Sequence, residues 1–235
     1  MNTGYQTLET IAGADHFNRW MYDTIAPFLK GKILEIGSGI GNISKYALQA
    51  GHHITLSDIN NQYINKLNAV FGLYENVDGI LNINLSDEDF NEKYSSLYQK
   101  FDTVFLLNVL EHIAEDDIAL QHCNLLLKSG GTIVVLVPAY QFLFSRMDLE
   151  LEHYTRYDGP SLKDVLTRSN FEVKQSFYFN SLGIAGWWLN KVLQNKEISR
   201  GKMTTFNTLV PIAKILDKVF CNKIGLSVIA VGVKK

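Results

Sequence analysis

The sequence predicts an α/β fold in which helices flank a doubly wound, seven-stranded sheet. Five strand-like runs alternate with helix-like segments through the first 140 residues. The fourth and fifth runs, at 103–108 and 132–137, are almost entirely apolar. Uninterrupted apolar runs are typical of parallel strands buried on both faces. The 235 residues fit one large α/β domain better than two small ones.

The alternation assigns the elements of the first half in turn. A glycine-rich turn follows the first strand, and glycines at 130 and 131 follow the last helix, where a helix end is expected. Helices between successive strands predict a parallel sheet with its ligand site at the carboxyl ends of the strands. The predicted strands cover 32–36, 53–57, 79–83, 103–108 and 132–137, and the predicted helices cover 43–49, 61–71, 94–99 and 114–127.

The last third of the chain departs from this alternation. A helix at 161–169 and a strand at 171–179 are followed by two apolar or amphipathic helices, at 182–193 and 209–220, and by a final strand at 226–233. Two late strands after five alternating ones predict a mostly parallel sheet with an antiparallel last strand.

Composition limits the class of protein. The formal net charge of −2 gives no electrostatic reason to expect a nucleic-acid partner. No apolar run approaches the ~20 residues of a transmembrane helix, and residues 1–5 lack the start of a signal peptide. The two cysteines, Cys123 and Cys221, are interpreted as reduced core residues, typical of a reducing compartment. We therefore expect a cytoplasmic protein.

The turn after the first strand, EIGSGIGN at 35–42, carries the most information. Its glycines let a ligand approach the main chain, and amides at a helix start can hold a polar group. A dinucleotide-binding loop has the pattern G-x-G-x-x-G, but Asn42 stands where the third glycine would be. Glu35 adds a carboxylate that suits the ammonium group of S-adenosylmethionine and not a diphosphate.

An acid stands at the expected distance from this loop. Asp58 follows Gly39 by 19 residues and comes directly after the second strand. A carboxylate there can accept both hydroxyls of a ribose. It can also cap the helix at 61–71, and the two roles are compatible.

EIGSGIGN, LSD at 56–58 and NVLEHI at 108–113 together resemble the class I S-adenosylmethionine-dependent methyltransferases. The motifs cover 32–138. The resemblance implies a Rossmann-like fold, S-adenosyl-L-methionine as the cofactor and S-adenosyl-L-homocysteine as the product. It also implies that Asp58 binds the ribose, that Ile59, Asn84 and Leu85 border the adenine, and that Asn108 and Val109 lie against the methionine part. The predicted cofactor-binding residues are Glu35, Gly37, Ser38, Gly39, Gly41, Asp58, Ile59, Asn84, Leu85, Asn108, Val109 and His112.

Two of these positions keep alternatives. Many relatives carry aspartate where this chain has Asn84, whose amide oxygen can still accept from the adenine amino group. His112 is either a residue close to the cofactor, a proton acceptor, or a helix-start histidine that orders the loop. Its neighbour Glu111 is interpreted as a loop or helix-cap residue.

The acceptor side is expected after the fifth strand. Methyl transfer requires alignment of a nucleophile, and an oxygen or nitrogen acceptor usually needs a base. The run EHYTRYD at 152–158 resembles a bacterial methyltransferase subgroup at this point. We predict His153 as the base or acceptor-orienting group, with Arg156 and Tyr157 shaping the site. Alternatively, the three residues form a polar latch that fixes the loop to the sheet edge. No metal ligand is predicted.

The chain is thus interpreted as a single domain, 1–235. Residues 1–30 are expected to form a helical lid, because the N-terminal part of related enzymes often covers the cofactor. Residues 31–140 form the cofactor-binding half and 141–235 the acceptor-side half, with a helical insertion at about 181–222. The aromatic insertion lines an acceptor pocket, touches a membrane surface, or simply packs on the sheet. Basic residues nearby allow contact with an anionic surface or are merely solvated: Lys191, Lys196, Arg200 and Lys202.

These observations predict an S-adenosylmethionine-dependent methyltransferase with a small-molecule or lipid-like acceptor. Whether oxygen, nitrogen or carbon is methylated stays open. A non-catalytic S-adenosylmethionine-binding partner protein and a dinucleotide-dependent oxidoreductase are alternatives. A nucleic-acid methyltransferase is a third, although the fifth strand is followed by 138–140, PAY, and not by the Asn/Asp-Pro-Pro-aromatic motif of amino methylators.

Overall fold

The computed structural model describes residues 3–194 and 199–235. Its centre is one seven-stranded sheet with the strand order β3-β2-β1-β4-β5-β7-β6. The strands are β1 (Ile33–Ile36), β2 (Ile54–Asp58), β3 (Val77–Asn82), β4 (Phe101–Leu107), β5 (Leu127–Pro138), β6 (Phe171–Phe179) and β7 (Ser227–Lys234).

The direction of the strands confirms the predicted topology. Strands β1 to β5 pair in parallel, whereas β7 pairs antiparallel with both β5 and β6. The last strand in sequence therefore lies inside the sheet, and β6 forms its edge. The α/β, Rossmann-like class with a mostly parallel sheet and an antiparallel last strand is confirmed.

Helices lie on both faces of the sheet. They are α1 (Thr3–Ala12), α2 (Asp15–Ile25), α3 (Ser44–Gln49), α4 (Asn61–Phe71), α5 (Phe90–Lys93), α6 (Asp116–Leu126), α7 (Arg146–Glu150), α8 (Gly159–Arg168), α9 (Ser181–Val192) and α10 (Arg200–Val219). None of the helices in the described part of the chain is both long enough and apolar enough to span a membrane.

Alternate residues of the central strands build two separate cores, because successive strand side chains point to opposite faces. Leu34 of β1 belongs to a core shared with α5, α6 and α8. Its neighbour Ile33 belongs to a core shared with α2, α3, α4 and α10. This three-layer arrangement brings the carboxyl ends of β1, β2 and β4 to one edge, where the loops that follow them meet.

Several element ends differ from the predicted ones. Strand β5 begins at Leu127, so Gly130 and Gly131 lie within the strand and do not end the preceding helix. Helix α8 begins at Gly159, two residues before the predicted start at 161, and is capped by Asp158, whose carboxylate accepts from the amide of Ser161. Cys221 is exposed, in contrast to the predicted core position, while Cys123 is buried.

Helix α10 begins at Arg200, nine residues before the predicted start at 209. The prediction missed this part because the first half of the helix shows little apolar periodicity. Ser199 caps it by accepting from the amide of Lys202. The hydroxyls of Thr204 and Thr205 bond to carbonyls four residues earlier, as expected within a helix. The predicted insertion at 181–222 therefore contains α9 and α10, while Lys196 lies outside the described residues.

Candidate functional site

The glycine loop after β1 is tied to the end of β2 by main-chain and side-chain bonds. The amide of Ser38 donates to the carbonyl of Ser57 at 2.8 Å, and the Ser38 hydroxyl accepts from the Ser57 amide at 3.1 Å. The amide of Gly39 donates to Asp58 Oδ2 at 2.8 Å. These bonds hold the predicted glycine-loop residues next to Asp58, the residue predicted to bind the ribose.

Two of the loop glycines are required by both conformation and space. Gly37 has φ +71°, and a Cβ there would lie 2.4 Å from Val109 Cγ2. Gly41 has φ +86°, and its Cβ would lie 2.2 Å from the ring of Phe71. An L-residue with a side chain is disfavoured at such φ values. The contact of Gly37 with Val109 also joins the predicted loop after β1 to the predicted loop after β4.

Glu35 is buried beside the start of α3. Its Oε2 accepts a short hydrogen bond from the hydroxyl of Ser44. Burial raises the pKa of Glu35 to about 7, although the hydroxyls of Ser44 and Ser38 favour the ionised form. The carboxylate thus holds the helix start in this structure, and its contact with the cofactor ammonium stays a prediction.

Asp58 is buried and accepts two main-chain hydrogen bonds. Its Oδ2 accepts from Gly39 and its Oδ1 accepts from Asn60, each at 2.8 Å. Burial raises the pKa of Asp58 against the effect of these amides. Helix α4 is capped by Asn60, which accepts from the amide of Gln62, so the interpretation of Asp58 as its cap is wrong. Ile59, next in sequence, is exposed beside the loop.

The predicted adenine-bordering residues after β3 are engaged elsewhere. The Asn84 amide group donates to Asp87 Oδ1 at 2.9 Å, and its oxygen accepts from the amide of Ser86. Leu85 is buried in the core, and its carbonyl oxygen lies 2.8 Å from Nδ1 of His122. None of these contacts involves Asp58 or the glycine loop, so the role of both residues toward adenine stays a prediction.

Helix α1 lies against the glycine loop. The side-chain amide of Asn42 donates to the carbonyl of Leu8 at 3.1 Å, and a Cβ on Gly39 would lie 3.2 Å from the Leu8 side chain. An ion pair at 2.9 Å joins Glu9 to Lys66 of α4. Helix α2, by contrast, is part of the core. Of the predicted lid at 1–30, α1 is therefore the part that lies against the loop. Residues 1 and 2 lie outside the described part of the chain, and the role of 1–30 as a lid over the cofactor stays a prediction.

Asp148 is the centre of the acceptor-side loop. Its fully buried carboxylate accepts from Arg156 Nε at 2.8 Å and from the amide and hydroxyl of Ser145. His153 Nδ1 lies 2.9 Å from the same carboxylate. Burial opposes ionisation, but His153, Arg156 and Ser145 together hold the pKa of Asp148 below its usual range. The structure thus brings His153 and Arg156 together through a residue that sequence reasoning missed.

Arg156 links the loop to β5 and to α9. Its Nη1 donates to the carbonyl of Ala139 at 3.1 Å, and its guanidinium carbon lies 4.4 Å from the centre of the Trp187 ring. Its Nη2 has no hydrogen-bond partner among the described residues. Burial lowers the pKa of Arg156, against the attraction of Asp148 and Glu111. The cluster therefore does fix the loop, as the latch interpretation predicts, yet keeps one donor unused.

Glu111 and His112 reach this cluster from the turn after β4. Glu111 is fully buried, and within 3–194 and 199–235 neither carboxylate oxygen has a hydrogen-bond partner. Burial raises the pKa of Glu111 to about 8. The ring centres of His112 and His153 lie 4.6 Å apart at 84°. Desolvation of the imidazole and the neighbouring His153 lower the pKa of His112 to about 4.

Tyr157 takes a separate position. It is buried, and its hydroxyl donates to Asp116 Oδ2 of α6 at 2.8 Å. Burial and the Asp116 carboxylate raise the pKa of Tyr157. Its main chain bonds to Pro138 and Tyr140. Tyr157 therefore anchors the loop to β5 and α6, and its predicted part in the acceptor site is not supported by a bond to His153 or Arg156.

The sequence from 15 to 176 matches the family described as a methyltransferase domain. This match covers more than half of the chain. The chain belongs to the methyltransferase-domain family. Methyltransferase membership confirms the predicted resemblance and argues against the dinucleotide-dependent oxidoreductase.

Solved structures share the fold of this methyltransferase-domain protein. An S-adenosylmethionine-dependent methyltransferase from Archaeoglobus fulgidus aligns with a TM-score of 0.60 and 16% identity, over 92% of this chain and 94% of that one. Phosphoethanolamine N-methyltransferase 2 from Haemonchus contortus, bound to S-adenosyl-L-methionine, aligns with 0.59 and 16%, over 92% and 52%. The [4+2]-cyclase SpnF aligns with 0.60 and 16%, over 92% and 80%. No curated relative matches significantly. Family and fold support S-adenosylmethionine as the cofactor.

Two residues of this methyltransferase-domain protein escaped sequence reasoning. Glu111 was interpreted as a loop or cap residue, and its complete burial has no local signal. Asp148 does carry a signal, because Ser145-x-x-Asp148 is a capping-box pattern at the start of α7 and the structure forms that box. That pattern predicts the bonds to Ser145, but not those to His153 and Arg156.

Proposed function

We propose that this protein transfers a methyl group from S-adenosylmethionine to a small, lipid-like acceptor, and that it meets this acceptor at an anionic membrane surface facing the cytoplasm. The single observation that carries the proposal is the outer surface of α9 and α10, which is both apolar and basic. We call this surface the α9–α10 face.

Apolar side chains on the α9–α10 face follow helical spacing, so that each helix carries a stripe. Helix α10 is apolar on two sides, since Val210 and Ala213 pack in the core while the outer stripe is exposed. A helix with a large apolar outer face suits the headgroup boundary of a bilayer. The stripe residues, each at least 50% exposed, are Trp188, Leu189, Val192, Ile212, Ile215 and Val219.

The charge of the same segment complements an anionic surface. Residues 181–224 contain seven basic and two acidic residues, although the whole chain has a net charge of −2. Of the two acids, Glu197 lies outside the described residues, and Asp217 is buried against the amides of Asn180 and Ser181. Each basic residue near an anionic leaflet contributes about 1 kcal/mol to binding. The insertion is thus the cationic part of an acidic protein.

The α9–α10 face adjoins the acceptor-side loop. Trp187 of α9 stacks against Arg156, and its indole N–H donates to the carbonyl of Leu143 at 3.2 Å. Phe142, next to Leu143, is 66% exposed. An apolar acceptor that leaves a bilayer along this surface therefore reaches the loop of His153 and Arg156 without crossing open water.

The proposed roles follow from the predicted cofactor-binding residues and from the side-chain nitrogens of the acceptor-side loop that have no partner. Asp58 holds the ribose, and Glu35 receives the ammonium group. Nε2 of His153 orients the nucleophilic atom of the acceptor, because its Nδ1 is engaged by Asp148. The unused Nη2 of Arg156 binds an anionic group of the acceptor. A lone pair of the acceptor forms the bond to the methyl carbon while the carbon–sulfur bond breaks. The electron pair of the broken bond stays on sulfur, which gives S-adenosylhomocysteine, and the proton lost by the acceptor passes to Nε2 of His153.

Vesicle binding tests the membrane part of the proposal. We expect Ile215→Asp/Val219→Asp to bind phosphatidylcholine vesicles containing phosphatidylglycerol at least about tenfold more weakly, since two apolar side chains no longer enter the bilayer. The matched control is Val70→Asp/Leu73→Asp, which changes exposed apolar residues near the end of α4. Equal sedimentation of both variants with these vesicles would contradict the proposal.

Transfer of labelled methyl from S-adenosylmethionine into a cell extract tests the acceptor class. We expect label in the organic-solvent fraction, and its loss with Arg156→Lys, which keeps the charge but not the fork of donors. Label confined to the aqueous fraction would overturn the lipid-like acceptor. Cofactor binding with no label in either fraction would favour the non-catalytic binding partner.

Calorimetry with S-adenosylhomocysteine tests the cofactor residues. Asp58→Ala removes a charged acceptor of hydrogen bonds, so we expect affinity to fall roughly 10- to 100-fold. Glu75→Ala, at an exposed acid before β3, serves as the control. Binding of NAD(H) without a response to S-adenosylhomocysteine would contradict the assignment of the site.

A further inference from the structure

Glu111 is the buried group that the fold leaves least satisfied. Its carboxylate is fully buried, and both oxygens are without a hydrogen-bond partner in the part of the chain that the structure describes. Buried polar groups are nearly always hydrogen-bonded, because an unpaired one costs about 1–3 kcal/mol, and more when charged. The carboxylate therefore requires a partner that the protein itself does not provide.

Two histidines stand beside this carboxylate. One oxygen of Glu111, one ring nitrogen of His112 and one of His153 all lie within 4.8 Å of one another. Ligand atoms that share a metal ion through bonds of 2.0–2.2 Å lie roughly 3.4 Å apart in a tetrahedral site. Binding of an ion would therefore bring the three ligand atoms closer together by at most about 1.4 Å.

One nitrogen of the His153 imidazole is already engaged in the way that metal-binding histidines require. His153 Nδ1 bonds to Asp148, whose other oxygen is held by Ser145. A histidine whose one nitrogen is held by a carboxylate or carbonyl presents the other nitrogen in a fixed direction.

The donor set selects the kind of ion. Two imidazole nitrogens and one carboxylate suit zinc, iron and neighbouring transition metals, whereas magnesium and calcium prefer oxygen ligands. Three protein ligands leave coordination positions open. A metal ion binds the ionised form of Glu111, and Asp148 offsets the single positive charge of the nearby Arg156.

We propose that Glu111, His112 and His153 bind a divalent transition-metal ion on the acceptor side of the methyl-transfer site. This departs from the sequence, which predicted no metal ligand. The role of the ion rests on the proposed function: it binds a hydroxyl of the acceptor, whose proton passes to water, and the resulting oxygen attacks the methyl carbon. The ion then replaces the free Nε2 of His153 as the group that orients the acceptor, which makes the reaction an O-methylation.

The test uses the full-length protein without a histidine tag, after chelation and without cofactor. We expect one equivalent of Zn²⁺ to bind by calorimetry, Co²⁺ to give visible d–d absorption, and Mg²⁺ to give neither signal. Glu111→Gln should weaken Zn²⁺ binding roughly 100-fold, and Asp148→Asn about tenfold through the orientation of His153. His53→Ala is the matched control, because His53 also lies beside a carboxylate, Asp78, but at the surface.

Thermal unfolding of each chelated variant shows whether it is folded, and Glu111→Gln keeps the shape of the side chain. No Zn²⁺ binding, or equal binding by the wild type and Glu111→Gln, would overturn the proposal. If Zn²⁺ does not bind while methyl transfer into the organic fraction persists, the metal site fails and the proposed function stands. If Zn²⁺ binds as expected but no methyl transfer occurs, the proposed function fails and the metal site stands.

Discussion

The cofactor loop and the acceptor-side loop stabilise their polar groups in different ways. In the cofactor loop, the side chains of Ser38 and Asp58 are bonded to neighbouring main chain. At the acceptor-side loop, Asp148 is fully bonded, but Nη2 of Arg156 and the carboxyl of Glu111, from the turn after β4, have no partner in the described ranges. The polar groups of the first loop are satisfied without a ligand, whereas the cluster at the second leaves buried polar atoms without a partner.

Two buried glutamates make the comparison specific. Glu35 lies in β1, and Glu111 lies in the turn after the adjacent strand β4. Both side chains are less than 5% exposed. Glu35 accepts from the hydroxyl of Ser44, while Glu111 accepts from no described group. Burial raises the pKa of both, to about 7 and about 8. The absence of a partner, and not burial itself, therefore marks the position that calls for a ligand.

The largest effect is expected at the centre of the acceptor-side loop. Asp148→Ala leaves the guanidinium of Arg156 buried without its counter-ion, so unfolding in urea should show a loss of about 3–5 kcal/mol. Asp164→Ala, which removes the partner of the exposed Arg168, should cost no more than about 1 kcal/mol. Similar losses for both variants would show that the buried cluster is not a structural centre.

A smaller effect is expected from the titration of Glu35. Its pKa rises from 4.5 to about 7 on folding, so the folded state keeps the proton that the unfolded state loses above pH 4.5. The free energy of unfolding should therefore fall as pH rises from 4.5 to 7, and Glu35→Gln should remove about 2–3 kcal/mol of the difference between pH 5 and pH 8. Urea unfolding of the wild type and of Glu35→Gln at pH 5 and pH 8 measures this difference.

S-adenosylhomocysteine sharpens this measurement. If its ammonium group meets Glu35, the ligand favours the ionised carboxylate, and ligand binding should release protons in calorimetry with buffers of different ionisation enthalpy. The release should vanish in Glu35→Gln and persist in Glu75→Gln. An unchanged proton release in Glu35→Gln would show that the ammonium group does not meet Glu35.

The smallest effect is the expected difference in stability cost between alanine substitutions at two glycines with similar φ. Gly37 and Gly51 have φ of +71° and +82°, but a Cβ would meet Val109 at 2.4 Å only at Gly37, with nothing within 4 Å at Gly51. Gly51→Ala should cost about 1–2 kcal/mol of strain, and Gly37→Ala about 1–3 kcal/mol more through overpacking. Chemical unfolding measures both. Equal costs would show that Val109, in the loop after β4, moves away easily from an added methyl group at position 37.

Local periodicity was sufficient for most of the fold. The apolar runs in β4 and β5 predicted buried parallel strands, and the late strands at 171–179 and 226–233 predicted the antiparallel addition. The start of α10 at Arg200 was missed, because its first half buries few apolar residues and shows threonines outward. Periodicity detects a helix by the face that it buries, and here that face offers only Met203 and Phe206 before Val210.

The candidate site was predictable only where a motif is local. The glycine loop and Asp58 lie at a fixed spacing, and the structure joins them. Glu111 and Asp148 depend on contacts between the turn after β4 and the loop at 145–157, which are far apart in sequence. Whether a carboxylate is buried without a partner is decided by that packing, and no spacing in the sequence records it.

The position of β7 has a consequence for biosynthesis. Within the described sheet, β6 pairs only with β7, and β7 fills the space beside β5. At the turn into β7, a Cβ on Gly225 would lie 2.4 Å from the carbonyl oxygen of Phe179, so the strand enters with almost no clearance. Until residues 227–234 have left the ribosome, β5 has an open edge and β6 has no neighbour. The nascent chain therefore carries an open edge on β5 and an unpaired β6 through the synthesis of both α9 and α10, an interval in which exposed strand edges favour aggregation.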